Sequence, residues 1–186
     1  RDTPELIQRL EQLSQSPGQR LYFRRLMAER NMSRKQYVEA FDTYLSLVGE
    51  PDDVLITSAD NSGVKVRLSA WLQGQFRDLW KAMPASQRDD LDKRIRERAA
   101  AAANQPLEVQ LQFVNLFRDF PAARDLTRKV IEGLASQRDF VRAERLLTRW
   151  RRGEDHALAA EATERLARLM RDFGLDGDAA YYYADL

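Results

Sequence analysis

Apolar residues recur along most of this chain at helical spacing. In "DTPELIQRLEQL", Leu6, Leu10 and Leu13 fall on one helix face, with Asp2 or Thr3 placed to cap and Pro4 in the first turn. "SPG" (Ser16 to Gly18) breaks that helix and "QRLYFRRLMAERN" forms the next. "SRKQYVEAFDTYLSLVGEP" reads as a third, with Ser33 as its cap and Tyr37, Phe41, Tyr44, Leu45 and Val48 as the inward stripe. Gly49 and Pro51 stop it. The period then drops to two. Val54–Thr57 and Val64–Leu68 are β-branched runs flanking "SADNSG", the one strand signal in the chain. From Ser69 the pattern is helical again, with Trp71, Leu72, Phe76, Leu79, Trp80 and Met83 on one broad face and Pro84 ending it.

The second half shows a repeat. "SQRDDLDKRIRERAAAAA" precedes "PLEVQLQFVNLFRDFP"; "AARDLTRKVIEGLASQ" precedes "RDFVRAERLLTRW"; "DHALAAEATERLARLMRDFG" precedes "DGDAAYYYADL". These are three pairs of a long and a short helix. In the short helices Val109, Phe113 and Leu116 line up with Ala143, Leu147 and Trp150, then with Ala179, Tyr183 and Leu186. The offsets are 34 and 36 residues. A period near ~34, with a small residue where helices cross closely, is the spacing of helix-turn-helix repeats of the tetratricopeptide kind. In the long helices Val130, Ile131 and Leu134 match Leu166, Ala167 and Met170, whereas Arg96 and Glu97 break the match. A helical pair cannot bury its apolar stripe alone, so it stacks on the next pair.

On that register Tyr183 points at the core, Tyr182 toward a further unit, and Tyr181 is half exposed. Packing is favoured over an aromatic binding platform, because aromatic stripes in helical repeats are ordinarily core. The edge would be sticky and open to self-association.

Composition narrows the picture without naming a reaction. The 186 residues include 30 basic and 29 acidic side chains, for a net charge of +1, so no overall field draws in nucleic acid or an anionic membrane. The only lysines are Lys35, Lys65, Lys81, Lys93 and Lys129, so 25 of the 30 basic residues are Arg, mostly set among acids as on a salt-bridged helix surface. The lack of cysteine removes disulfides, thiolate metal sites and cysteine nucleophiles. No apolar run reaches the ~18 residues of a membrane span. The opening without Met and the close inside a helix suggest a piece of a larger protein.

Nothing in the residues forms a catalytic, cofactor or metal constellation. His156 stands alone at a helix entrance, where capping is the ordinary role. Asp52–Asp53, Asp89–Asp90 and Glu154–Asp155 sit at helix starts, where the macrodipole favours acids. Ser58, Ser62 and Ser69 lack an elbow motif, and "SADNSG" lacks the Lys and helix of a phosphate loop. "RLYFRR", "KRIRER" and "RWRR" can touch phosphates but have acids nearby. Trp71, Trp80 and Trp150 lie at core spacing.

Four stretches, "VKVRLSAWLQGQFRDLW", "LQFVNLFRDFPAARDL", "FVRAERLLTRW" and "ATERLARLMRDFGLDGDAAYYYADL", resemble the helical region of quinoprotein-like (PQQ-like) β-propeller proteins of planctomycete-type bacteria, over roughly residues 35 to 186. The resemblance implies a tetratricopeptide-like region accompanying a propeller in an exported, periplasmic or cell-envelope setting. The chain itself has no propeller blades, so no quinone-binding residue carries over.

The expected fold is all-α: an array of antiparallel helical hairpins, a tetratricopeptide-like α-solenoid, with one short β-hairpin or extended excursion near residues 53–68. Residues 1–51 form N-terminal helices, 52–68 the excursion and 69–186 the repeated hairpins, packed as one domain. The expected role is a non-enzymatic scaffold for contacts with another protein or the parent's own β domain. Tyr181, Tyr182, Arg151 and Arg152 are the surface residues to probe. The alternatives are an accessory part of a propeller enzyme, with residues 52–68 reaching toward its active site, and weak nucleic-acid binding through Arg-rich faces.

Overall fold

The computed structural model describes residues 4–48, 55–57 and 65–186. The described residues are mostly helical, with one small antiparallel hairpin. They divide into two compact units, Arg1–Arg94 and Ile95–Leu186.

In the first unit, α1 (Pro4–Leu13) precedes α2 (Pro17–Ser33). The "SPG" break is the start signal of α2. The Ser16 hydroxyl accepts from the Gln19 backbone N–H, the Gln19 side chain accepts from the Ser16 N–H, and Pro17 supplies a preset first turn. Ser33 does not cap α3 (Tyr37–Leu45). It is the last residue of α2, and its hydroxyl donates to the Arg30 carbonyl instead. The buried stripe of this segment is Tyr37, Ala40, Phe41, Tyr44 and Leu47. Leu45 is half-buried, one position round the helix from Tyr44, and Val48 is exposed beyond the helix end.

The excursion is a hairpin of β1 (Leu55–Thr57) and β2 (Lys65–Arg67), registered Leu55 to Arg67, Ile56 to Val66 and Thr57 to Lys65. Ile56 is its buried residue. Asp2, Thr3, Gly49, Pro51, Val54, "SADNSG" and Val64 lie outside the described residues. The helix α4 (Leu68–Ala82) follows directly and buries Leu68, Trp71, Leu72, Phe76 and Leu79, with Met83 just beyond it; Trp80 is half-buried.

The division between the units falls inside α5 (Ala85–Ala102). In the second unit come α6 (Leu107–Phe117), a 3-10 turn at Pro121–Ala123, α7 (Arg124–Ser136), α8 (Phe140–Arg151), α9 (His156–Asp172) and α10 (Asp176–Ala184). Consecutive helices α6 to α10 pack one on the next around one core, which includes Val114, Val130, Leu134, Ala143, Leu147 and Leu166.

The turns inside these hairpins share one chemistry. Arg138 (φ 59°) and Gly174 (φ 76°) take the left-handed conformation after α7 and α9. The next N–H reaches back to the last turn, from Asp139 to the Leu134 carbonyl at 2.8 Å and from Leu175 to the Met170 carbonyl at 2.9 Å. That bond closes carbonyls a helix end would otherwise leave orphaned. Lys35 (φ 59°) does the same between α2 and α3, where Gln36 donates to Asn31 at 2.9 Å. Thr127 and Thr163 also match, each hydroxyl donating to the carbonyl four residues back.

Burial corrects the sequence register in three places. In α6 the inward residues are Gln110, Val114 and Phe117, with Phe113 half-buried and Val109 43% exposed. In α5 the inward residues are Leu91, Ile95 and Ala99, which align with Leu126, Val130 and Leu134, so Arg96 and Glu97 are not the equivalents. Both shifts have one cause. From Leu134 to Ala143, and from Met170 to Ala179, is nine residues, but from Ala99 to Gln110 is eleven. The longer α5–α6 turn has no left-handed residue; the Gln110 amide donates instead to the Ala103 and Gln105 carbonyls at 3.2 and 2.7 Å. A polar side chain can therefore stand at the small-residue position with its donor satisfied.

The third correction is the C-terminal helix. Ala179 is buried as expected, but Tyr182 packs toward the core while Tyr183 is 42% and Leu186 61% exposed. Their equivalents Leu147 and Trp150 are 1% and 7% exposed. The helix α8 packs against both α7 and α9, whereas the main neighbour of α10 is α9 alone. One neighbour covers one face.

Candidate functional site

The helices α7 and α9 run side by side in the second unit, and a shallow groove of about 360 Å³ lies along them. Its floor is apolar, from Ile131, Ala135, Leu147 and Leu169. Its walls are charged, from Glu132, Glu161, Glu164, Arg165, Arg168 and Asp172. The local sequence explains both: each helix keeps an apolar stripe for the core and leaves charged residues three or four positions away at its margin.

The walls are braced by a network. The Arg128 guanidinium donates through Nε and Nη2 to both carboxylate oxygens of Glu161, at 2.7 Å each, and through Nη1 to Asp125 at 2.7 Å. Arg165 donates to Glu161 at 3.0 Å and to Glu132 at 3.1 Å. The Arg128 hydrogen bonds, aided by Arg165, hold the Glu161 carboxyl below its usual range, and the same bonds raise Arg128. Arg128 also stands 5.8 Å from the Trp150 ring. Trp150 is therefore both core and support for the network.

The C-terminal edge is a second aromatic and basic cluster. Arg151 donates to Asp185 at 2.7 Å and lies 5.0 Å from the Tyr182 ring and 6.0 Å from that of Tyr181. The two rings meet edge to face at 5.5 Å. Of the residues picked out from sequence, Arg151, Tyr181 and Tyr182 thus come together, while Arg152 is exposed at the end of α8. His156 is the exposed first residue of α9, whose cap is Asp155, accepting from the Leu158 N–H at 3.1 Å. Trp71 lies in the first unit's core, with Arg25 5.1 Å from its ring.

Sequence reasoning missed the groove, whose walls come from α7 and α9, with Leu147 of α8 in its floor, and whose charged residues look like ordinary surface in each helix. The signal was the pairing of Arg128 with Glu161 and of Glu132 with Arg165, both 33 positions apart. It also missed that α3 and the turn after it carry the second unit's short-helix pattern: Ala40, Tyr44 and Leu47 have the spacing of Ala143, Leu147 and Trp150.

Among the described residues no group of three or more histidine and acidic side chains is placed to hold a metal ion. No described helix is long and apolar enough to cross a membrane. Comparison with protein-family models, with curated proteins and with solved structures finds no match for the chain.

Proposed function

We propose that this chain is a tetratricopeptide-like α-solenoid that serves as a non-enzymatic scaffold, binding a segment of another protein, or of a β domain in its own parent, along the α7–α9 groove. The observation that carries the reading is the groove itself: an apolar floor between charged walls, with the Arg128–Glu161–Arg165 network at its margin. Such a surface can bury apolar side chains of a ligand and fix its register by charge. The repeated turn at Arg138 and Gly174 and the ion pairs at a 33- or 34-residue interval support the solenoid part of the reading.

The experiment is a peptide-library selection on the chain and on Ala135→Trp, which fills the floor of the groove. Peptides enriched on the wild type and lost on a folded Ala135→Trp support the reading. A selection that yields nothing, or peptides indifferent to the substitution, counts against it.

A further inference from the structure

Four arginines of the second unit bond carboxylates 33 or 34 positions away, and Arg124 bonds Asp155 at 31. Arg142 bonds Glu108 (34 positions), Arg151 bonds Asp185 (34), Arg128 bonds Glu161 (33) and Arg165 bonds Glu132 (33). One rung breaks the rule. Arg149 is 34 positions from Asn115 and donates to its amide oxygen at 3.2 Å, so the partner is neutral.

The surroundings do not make up the missing charge. No described carboxylate lies within 4.0 Å of Arg149 or Arg145, and the nearby Arg118 has only Asp119, at 3.8 Å. Partial desolvation and then repulsion from Arg118 and Arg145 push the Arg149 guanidinium below its ordinary pKa, with Asp119 offsetting part of the effect. Three guanidiniums thus face one carboxylate. Arg145 and Arg149 share a face of α8 with Val141, which is 61% exposed.

We propose that Arg118, Arg145, Arg149 and Asn115 form a carboxylate-binding patch on the α6–α8 face that docks an acidic segment of a partner protein. A guanidinium presents a planar fork that matches a carboxylate with two parallel bonds. The ligand carboxylate completes the rung that Glu108 and Asp185 complete elsewhere, and the Asn115 side chain supplies an N–H donor beside it. Those finished rungs favour a carboxylate over a phosphate, and Val141 adds an apolar contact that suits an acidic helix with an aliphatic residue one turn away. The patch involves residues distinct from those of the groove and stands whether or not the groove binds anything.

The test is fluorescence anisotropy at low salt with a labelled glutamate-rich peptide, and separately with a labelled duplex oligonucleotide. The peptide binds the wild-type chain, and binding weakens as salt rises. Asn115→Asp, which places a carboxylate in the rung, and Arg149→Gln each weaken it about tenfold. Thermal unfolding of Asn115→Asp at or above the wild-type midpoint shows that the fold is kept, and this variant decides if Arg149→Gln does not fold. Ala135→Trp leaves peptide binding unchanged. No peptide binding at low salt, tighter binding of the duplex, unaltered affinity in Asn115→Asp, or an equal loss in Ala135→Trp would each overturn the patch.

Discussion

In the first unit the centre of the core is a knot of rings. Phe41 and Phe76 meet at 5.4 Å, Tyr44 and Trp71 at 5.6 Å, and Tyr44 and Phe76 at 5.9 Å, all edge to face. The Tyr44 hydroxyl donates to Gln75 at 2.8 Å, and burial drives its pKa well above the ordinary phenol value. In the second unit the core cluster is mainly aliphatic apart from Trp150, with alanines at the crossings and arginine–carboxylate pairs bracing the margins. Large rings bury much area per residue but need one fixed geometry. Small residues let the same crossing recur, since any pair of helices with an alanine there can approach closely. The second unit also has ring contacts, Phe113 with Phe117 at 4.7 Å and Phe117 with Phe120 at 5.8 Å, but the feature that recurs there is the buried alanine, at Ala143 and Ala179.

The largest test of this contrast is Phe76→Ala. It removes a fully buried ring that meets Phe41 and Tyr44, and should destabilise the first unit by about 3–5 kcal/mol. Urea unfolding followed by tryptophan fluorescence measures it. A loss below ~1 kcal/mol would mean that the rings are not the centre of that core.

Next is Ala143→Leu in the second unit, which overpacks a crossing with no exposed surface and should cost about 1–3 kcal/mol. Val141→Leu, on the exposed face of the same helix, should leave the midpoint within ~0.5 kcal/mol.

Gly174→Ala tests the left-handed turn after α9. The added Cβ meets nothing within 4 Å, so its cost is the left-handed conformation alone, about 1 kcal/mol. Lys35→Gly should stabilise the first unit by a similar or smaller amount, since Lys35 holds the same conformation with a side chain.

Smallest is the ionic margin. Glu161 and Asp155 have lowered pKa values in the fold, so their contribution is present above the ordinary carboxylate pKa and is lost as pH falls through the folded value. The second unit should lose stability on acidification below about pH 4.5, less steeply in Glu161→Gln. Glu108→Gln, at an exposed pair, should cost at most ~0.5–1 kcal/mol and still less in high salt. A salt-independent loss larger than that would make the ladder a main support rather than a brace.

The helices were legible because each has a strong local signal. Trp71 to Met83 reads as one face in the sequence, and "SPG" reads as a break, though not as the capped start of α2 that it is. The β-hairpin was legible because its period differs from everything around it. The register of α6 was not legible. Val109 and Gln110 differ by one position, and only the eleven-residue path from Ala99 turns the polar residue inward. Tyr183 failed for another reason: its pattern is that of Leu147, but a pattern states which face is apolar and not what lies against it. The groove and the Arg149 patch were invisible because each joins separate helices whose charged residues look alike one at a time.

The sequence by itself determined which stretches are helical and the apolar face of most of them, since apolar period and chain breaks act over a few neighbouring residues. Only the tertiary structure decided which equivalent positions are covered and which arginines have carboxylate partners. Burial and ion pairing depend on what the fold brings across from some 33 or 34 residues away, and no local propensity carries that information.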